Sequence, residues 1–241
     1  MTADATLEAV NKGMDSSDLQ FDFHRAVRLG FPEIVYGESK NVEQLQRILT
    51  QCRAKGHPVL ISRCQPEKAA QLPEGHYDAL ARIWHDRPHP EPAVVGSVAV
   101  LSGGTADAPV VAECLHTLRF LGIRATAMQD VGVAAIHRFL SRLDELRAYS
   151  VLIVVAGFEG ALASVVAGQC PQPVIAVPSG VGYGVAAGGH AALHAMLASC
   201  ANGLMVMNID NGVGAALAAK RILGTCRSLC ESIQEDSSCP F

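Results

Sequence analysis

The stretch Val151–Gly160, VLIVVAGFEG, sets six apolar residues in a row and then turns through Gly157-Phe158-Glu159-Gly160. A half-exposed strand alternates apolar with polar residues. An unbroken apolar run of this length, stopped by glycine, reads as a strand buried on both faces, as in a parallel sheet covered by helices. The same pattern recurs on either side in GSVAVLSGG (96–104), IRATAMQDVG (123–132), PVIAVPSG (173–180) and GLMVMNIDNG (203–212), with helical runs between them. Strands that alternate with helices in this way predict an α/β fold, a doubly wound parallel sheet.

Upstream the pattern changes. FPEIVYGE (31–38), HPVLISRC (57–64) and YDALARIWH (77–85) read as three strands, with a helix over NVEQLQRILTQCRAKG (41–56), so a small α+β unit is expected before the main sheet. DRPHPEP (86–92) carries three prolines in seven residues and reads as a linker. The expected organisation is a flexible segment over 1–20, the α+β domain over 21–90, the doubly wound domain over 91–224 and a Cys- and Ser-rich tail over 225–241.

With 19 Lys and Arg against 23 Asp and Glu, and no basic run interleaved with aromatics, nucleic acid has no electrostatic argument as a partner. No apolar stretch is long enough to span a membrane and no leader pattern opens the chain, so a cytoplasmic protein acting on small molecules is expected. The eight cysteines are scattered without a CxxC, which points to reduced thiols, each by default a small buried hydrophobe. Cys226 and Cys230, and separately His190 and His194, are spaced i, i+4, but neither pair has a further ligand in view.

Open α/β sheets bind ligands at the carboxyl ends of their strands. Here those ends are five loops rich in glycine and short polar residues, from which the candidate binding residues follow. They are Ser102, Gly103, Gly104, Thr105 and Asp107 after the first strand, Asp130 after the second, Ser179, Gly180, Gly182, Tyr183 and Gly184 after the fourth, and Asp210 and Asn211 after the fifth. Glycine lets backbone approach a ligand, and the first turn of a following helix leaves amides for an anion. Asp210 and Asn211 read equally as a cap and a turn, and His137 and Arg138 as solvated or structural residues. Glu159 ends the most apolar strand; it reads either as a carboxylate raised by desolvation into a proton acceptor or as an acid complementing a helix N-terminus. Cys200 ends a helical run and precedes a strand, on the edge opposite the ligand loops, so local rules make it structural.

The segments SGGTADAPVVAE (102–113), DVGVAAIHR (130–138), VVAGFEGALASVVAG (154–168), PVIAVPSGVGYG (173–184), AMLASCANG (195–203) and NIDNGVGAA (208–216), with DFHRAVRLGFPEIVYGESK (22–40) upstream, resemble the LarB family. These are the pyridinium-3,5-biscarboxylic acid mononucleotide synthases of nickel-pincer nucleotide biosynthesis. The C-terminal part is similar to the phosphoribosylaminoimidazole carboxylases, which implies a flavodoxin-like fold. The resemblance implies carboxylation of the pyridinium ring of nicotinic acid adenine dinucleotide at C5 and hydrolysis of its phosphoanhydride to release AMP. Carbon dioxide or bicarbonate would be co-substrate, Mg²⁺ a candidate ion, and no organic cofactor is expected. It makes Cys200 the nucleophile and Glu159 the proton-transfer group. It also implies a homo-oligomer with active sites at subunit interfaces, where Cys200 reaches a neighbouring cleft. Arg25, Glu33, Glu38 and Lys40 lie in matched upstream segments and are open to a substrate, interface or structural role. An imidazole ribonucleotide carboxylase or mutase, or a nucleotide-binding module without turnover, stays open beside this reading.

Overall fold

The run Val151–Ala156 is a strand with every residue buried, and it sits at the centre of a five-stranded sheet in a computed structural model that describes residues 20–235. That sheet comprises β5 (Ser97–Ser102), β6 (Arg124–Met128), β7 (Val151–Ala156), β8 (Val174–Pro178) and β9 (Met205–Val206). All its pairings are parallel, in the order β6-β5-β7-β8-β9. Numbered within the sheet this is 2-1-3-4-5, the flavodoxin-like order.

The unbroken apolar character of β7 has a direct cause in packing. Its odd-numbered residues Val151, Ile153 and Val155 enter one core with Val111, Cys114 and Leu118 of α4 (Ala108–Phe120) and Ala215, Ala216 and Ala219 of α9 (Gly212–Glu235). Its even-numbered residues Leu152, Val154 and Ala156 enter the other, with Leu162, Ala163 and Val166 of α7 (Ala161–Gln169) and Met196 of α8 (His190–Leu197). Each such burial contributes about 1.5–3 kcal/mol for a Val or Leu side chain, so both faces must be apolar. Helix α9 continues through residues 224 and 225, where the tail was expected to begin.

The N-terminal sheet has the order β1-β2-β4-β3, from β1 (Ile34–Tyr36), β2 (Leu60–Ser62), β3 (His76–Asp78) and β4 (Ile83–His85). A short α1 (Arg25–Leu29) precedes it, α2 (Val42–Ala54) links the parallel pair β1 and β2, and α3 (Pro66–Ala69) follows β2. Asn41 starts α2 with a capping box: Gln44 N donates to Asn41 Oδ1 at 2.8 Å and Asn41 N donates to Gln44 Oε1 at 2.9 Å. Leu45, Ile48, Leu49 and Cys52 then form the buried face. The expected single strand over 77–85 is in fact the antiparallel pair β3 and β4. The chain reverses between them where Ala81 N donates to Asp78 Oδ1 at 2.7 Å and Arg82 takes a left-handed φ of 50°. Phe31, Leu60, Ala81 and Ile83 join the core beneath α4 and α9, so this domain is seated on one helical face of the main sheet. No helix among the described residues is long and apolar enough to cross a membrane. The expected flexible segment, apart from Gln20, lies outside the described residues.

Candidate functional site

In this strand order the chain leaves β5 toward β6 on one side and returns to β7 on the other, so a crevice opens between the ends of β5 and β7. A cleft of about 530 Å³ occupies that position. It is lined by Gly103, Gly104, Thr105 and Asp107 from the first loop, Asp130 from the second with Arg138 from the short helix that follows it, and Gly157, Phe158 and Glu159 from the third.

Hydrogen bonds between neighbouring loops hold the rim. Gly103 N donates to Val155 O at 3.1 Å, Val131 N to Ser102 O at 3.0 Å, Phe158 N to Val181 O at 2.8 Å and Asp210 N to Pro178 O at 2.8 Å. Two glycines are required by close approach. A Cβ at Gly132 would sit 2.5 Å from Gly103 O, and one at Gly157 would sit 2.3 Å from Val181 O. Asp130, Phe158 and Asp210 adopt left-handed φ of 59°, 52° and 56° on this rim. Non-glycine residues in that region carry strain, and such strain gathers where loop shape serves a ligand.

Asp107 sits in the floor, 3% exposed. Gly104 N donates to its Oδ2 at 3.0 Å, while Oδ1 is buried without a partner among the described residues. Burial pushes its carboxyl above the ordinary aspartate range and nearby Asp210 adds to that, against the Gly104 amide and the Ser179 hydroxyl. The sign of the consequence follows from proton uptake. As pH rises, the unfolded chain loses this proton before the folded one does, so the folded state binds more protons across the window between the two values and stability falls through it. Asp107→Asn keeps an oxygen for Gly104 N and removes the titration. In urea unfolding across a pH series from about 4 to 7, the variant is expected to gain on the parent as pH rises. A stability difference flat with pH would contradict the buried ionisation.

The other expected binding residues divide between structure and rim. Ser102 is fully buried beneath the first loop and its hydroxyl donates to Gly104 O at 3.2 Å. Asp210 Oδ1 accepts from Gly180 N at 2.8 Å, which ties two of the loops together, and Asn211 Oδ1 accepts from Gly214 N at 2.7 Å as a cap at the start of α9. Ser179, Gly180 and Asp210 line a second cavity of about 310 Å³ with Arg63, Arg82 and Glu113. Asn211 lines a third, of about 390 Å³, with Arg25, Tyr36 and Arg63. Gly182, Tyr183 and Gly184 lie outside these three cavities, with Tyr183 79% exposed and its ring edge-on to Phe158.

Glu159 is exposed on the lip of the main cleft, so the desolvation expected for it is not supplied within one chain. Cys200 is exposed as well, in the turn between α8 and β9, and therefore at the amino-terminal edge of the sheet, away from all three cavities. The packing reading fails for this thiol. It holds for Cys52, Cys64 and Cys114, which are buried, and burial also pushes all three up, Cys52 to about 11. Cys239 and the side chains of Cys226 and Cys230 lie outside the described residues.

Three basic residues gain a place that sequence patterns did not give them. Arg63 joins the domains: its Nη2 donates to Asp210 O at 2.8 Å and its Nε lies 3.7 Å from Glu113, which in turn accepts from Gly212 N at 3.0 Å. The Arg82 side chain is exposed beside Ser179 and Gly180, with its charge acting on Glu38 and Glu113, while its backbone O accepts from Cys64 N at 2.7 Å. Arg138 is paired with Asp130 in the main cleft, while its neighbour His137 is exposed. Of the upstream candidates, Glu33 accepts from Asp22 N at 2.8 Å, Glu38 is bonded to Tyr36, Lys40 O accepts from Lys68, and Arg25 faces the third cavity.

Residues 14–87 match the model of a LarB/PurE-like N-terminal domain, and residues 97–237 match that of AIR carboxylase. An uncharacterized protein of Methanocaldococcus jannaschii is 35% identical over 214 residues, covering 83% of this chain and 82% of that one. Crystal structures of Treponema denticola PurE and of a PurE2 variant from the same organism are similar at 21% and 22% identity, with TM-scores of 0.43 and 0.42. Both cover 58% of this chain, and 96% and 95% of their own.

Proposed function

Since the chain belongs to the LarB-like proteins, with a PurE-like domain of the AIR carboxylase family behind its N-terminal domain, we propose that it carboxylates nicotinic acid adenine dinucleotide at C5 of the pyridinium ring and hydrolyses the phosphoanhydride. A carboxylase-type activity comes with the family. The choice of substrate and covalent route is supported by an exposed thiol on a chain whose switch-point cleft has a carboxylate on its lip.

An electron-poor pyridinium does not attack carbon dioxide. If Cys200 sulfur donates an electron pair to C6, the ring charge is neutralised and C5 becomes the nucleophilic end of an enamine. C5 then forms a bond to the carbon of carbon dioxide. Glu159 takes the C5 proton, the electron pair restores the C5–C6 double bond, and the sulfur leaves as thiolate. The net change is one C5–H replaced by one carboxylate with release of a proton; water then cleaves the anhydride to AMP and the mononucleotide. Gly103, Gly104 and Thr105 offer backbone to the ribose phosphate or ring carboxylate, and Arg82 beside Ser179 and Gly180 offers an exposed cation to the pyrophosphate. Mg²⁺ would assist there as a charge partner.

One chain leaves Cys200 and the cleft apart, so the proposal places Cys200 of one subunit in the cleft of its neighbour. Phe158, Tyr183, Val185 and Leu197 are all exposed, apolar surface suited to such an interface. The same closure would bury Glu159 and provide its desolvation.

The test is incubation with nicotinic acid adenine dinucleotide, bicarbonate and Mg²⁺, followed by mass spectrometry. A product carrying one added carboxylate, together with AMP, is expected. Turnover of aminoimidazole ribonucleotide instead would transfer the protein to the imidazole carboxylases. Binding of the dinucleotide with neither product would leave only a nucleotide-binding module.

A further inference from the structure

Apart from the cleft, four histidines and an aspartate converge where the two domains meet. His76 and His85 come from the paired strands β3 and β4, His89 from the proline-rich linker and His116 from α4. One ring nitrogen from each of His85, His89 and His116 lies within 4.8 Å of the others. His85 is stacked between His76 and His89, with ring centroids 5.0 and 4.2 Å away, and His85 itself is buried. None of these residues lines the catalytic cleft, so the inference stands apart from the proposed reaction.

The outer nitrogens are already held. His85 Nδ1 lies 2.7 Å from Arg87 O, and His116 Nε2 lies 3.3 Å from Asp78 Oδ2. That leaves His85 Nε2 and His116 Nδ1 facing inward. His89 adds Nε2 at 3.0 Å from His116 Nδ1, while its Nδ1 is buried without a partner. Metal-bound histidines are oriented in this way, with the second nitrogen donating to a carbonyl or a carboxylate.

We propose that His85, His89 and His116 form a site for a transition-metal dication of the Zn²⁺ class, which ties the N-terminal domain and linker to α4 of the catalytic domain. Three imidazoles leave a fourth position for water, and imidazole donors favour such ions over Mg²⁺ or Ca²⁺. Zn–N bonds of about 2.0–2.1 Å in a tetrahedron set the nitrogens about 3.3 Å apart, so side-chain rotation must draw the wider pair together.

The test uses untagged, chelator-stripped full-length protein titrated with Zn²⁺ and with Co²⁺. One equivalent per chain is expected, raising the thermal midpoint. His116→Ala should bind at least about 100-fold more weakly, and Asp78→Asn, which removes only the orienting carboxylate, about 10–100-fold more weakly. Circular dichroism of both metal-free variants confirms that they are folded. Absence of a saturable equivalent, or undiminished binding by folded His116→Ala, would overturn the site. So would a thiolate charge-transfer band in the Co²⁺ spectrum, because it would assign the ion to the cysteines.

Discussion

Cys200→Ser is expected to bind nicotinic acid adenine dinucleotide with affinity close to the parent and to lose carboxylation by roughly 10³-fold or more. The serine hydroxyl is nearly isosteric, and residue 200 is exposed in a turn, so neither folding nor the loop network around the cleft depends on it. Nucleophilicity does change. A thiol sulfur is intrinsically a far better nucleophile than a hydroxyl oxygen. A neutral hydroxyl adds poorly to C6, and without that adduct C5 stays electron-poor. The measurement is the single-turnover rate of carboxylate incorporation alongside a direct binding isotherm. Parental turnover by the serine variant would end the covalent reading. Carboxylation lost together with dinucleotide binding would mean that residue 200 supports the pocket and not the chemistry.

How much of this was legible in the sequence depends on whether a property is local. Strand β7 was legible because burial on two faces demands six apolar residues in succession, and the loops were legible because glycine and short polar residues mark strand ends. The reversal between β3 and β4 was not, since its turn contains neither glycine nor proline and is completed by Arg82 in a left-handed conformation. Asp107 was found by its place after a strand, but its burial and unpartnered oxygen depend on loops more than 70 residues away in sequence. The histidine cluster left no readable pattern: His85 ends strand β4, His89 lies in the proline-rich linker, and His116 enters from a helix of the other domain. Arg63 and Arg82 were invisible for the same reason, being ordinary surface residues until the N-terminal sheet is seated against the second cavity. Glu159 shows the reverse case. The sequence sets it at the end of a buried strand and before a helix, but its exposure depends on what covers the lip of the cleft, which one chain leaves open.

The open lip and the distant thiol lead to the second large effect. Glu159→Gln alone is expected to slow carboxylation by about 10²–10⁴-fold, the range for removing a positioned proton acceptor. Mixed with Cys200→Ser subunits and allowed to reassemble, it should regain activity. If each site takes its thiol from one subunit and its carboxylate from the neighbour, a site is intact when a Glu159→Gln subunit supplies the thiol and a Cys200→Ser subunit the carboxylate. Random one-to-one assembly produces that pairing at about one quarter of the sites, so about 25% of parental activity should return from two nearly inactive proteins. A site built within one chain gives no such recovery, because every subunit in the mixture then carries one defect. The fraction regained therefore measures the geometry directly. Recovery near 25% joins the exposed Cys200 turn of one subunit to the Glu159 lip of another, and a mixture no more active than its parts would require a movement within the chain that carries residue 200 across the sheet.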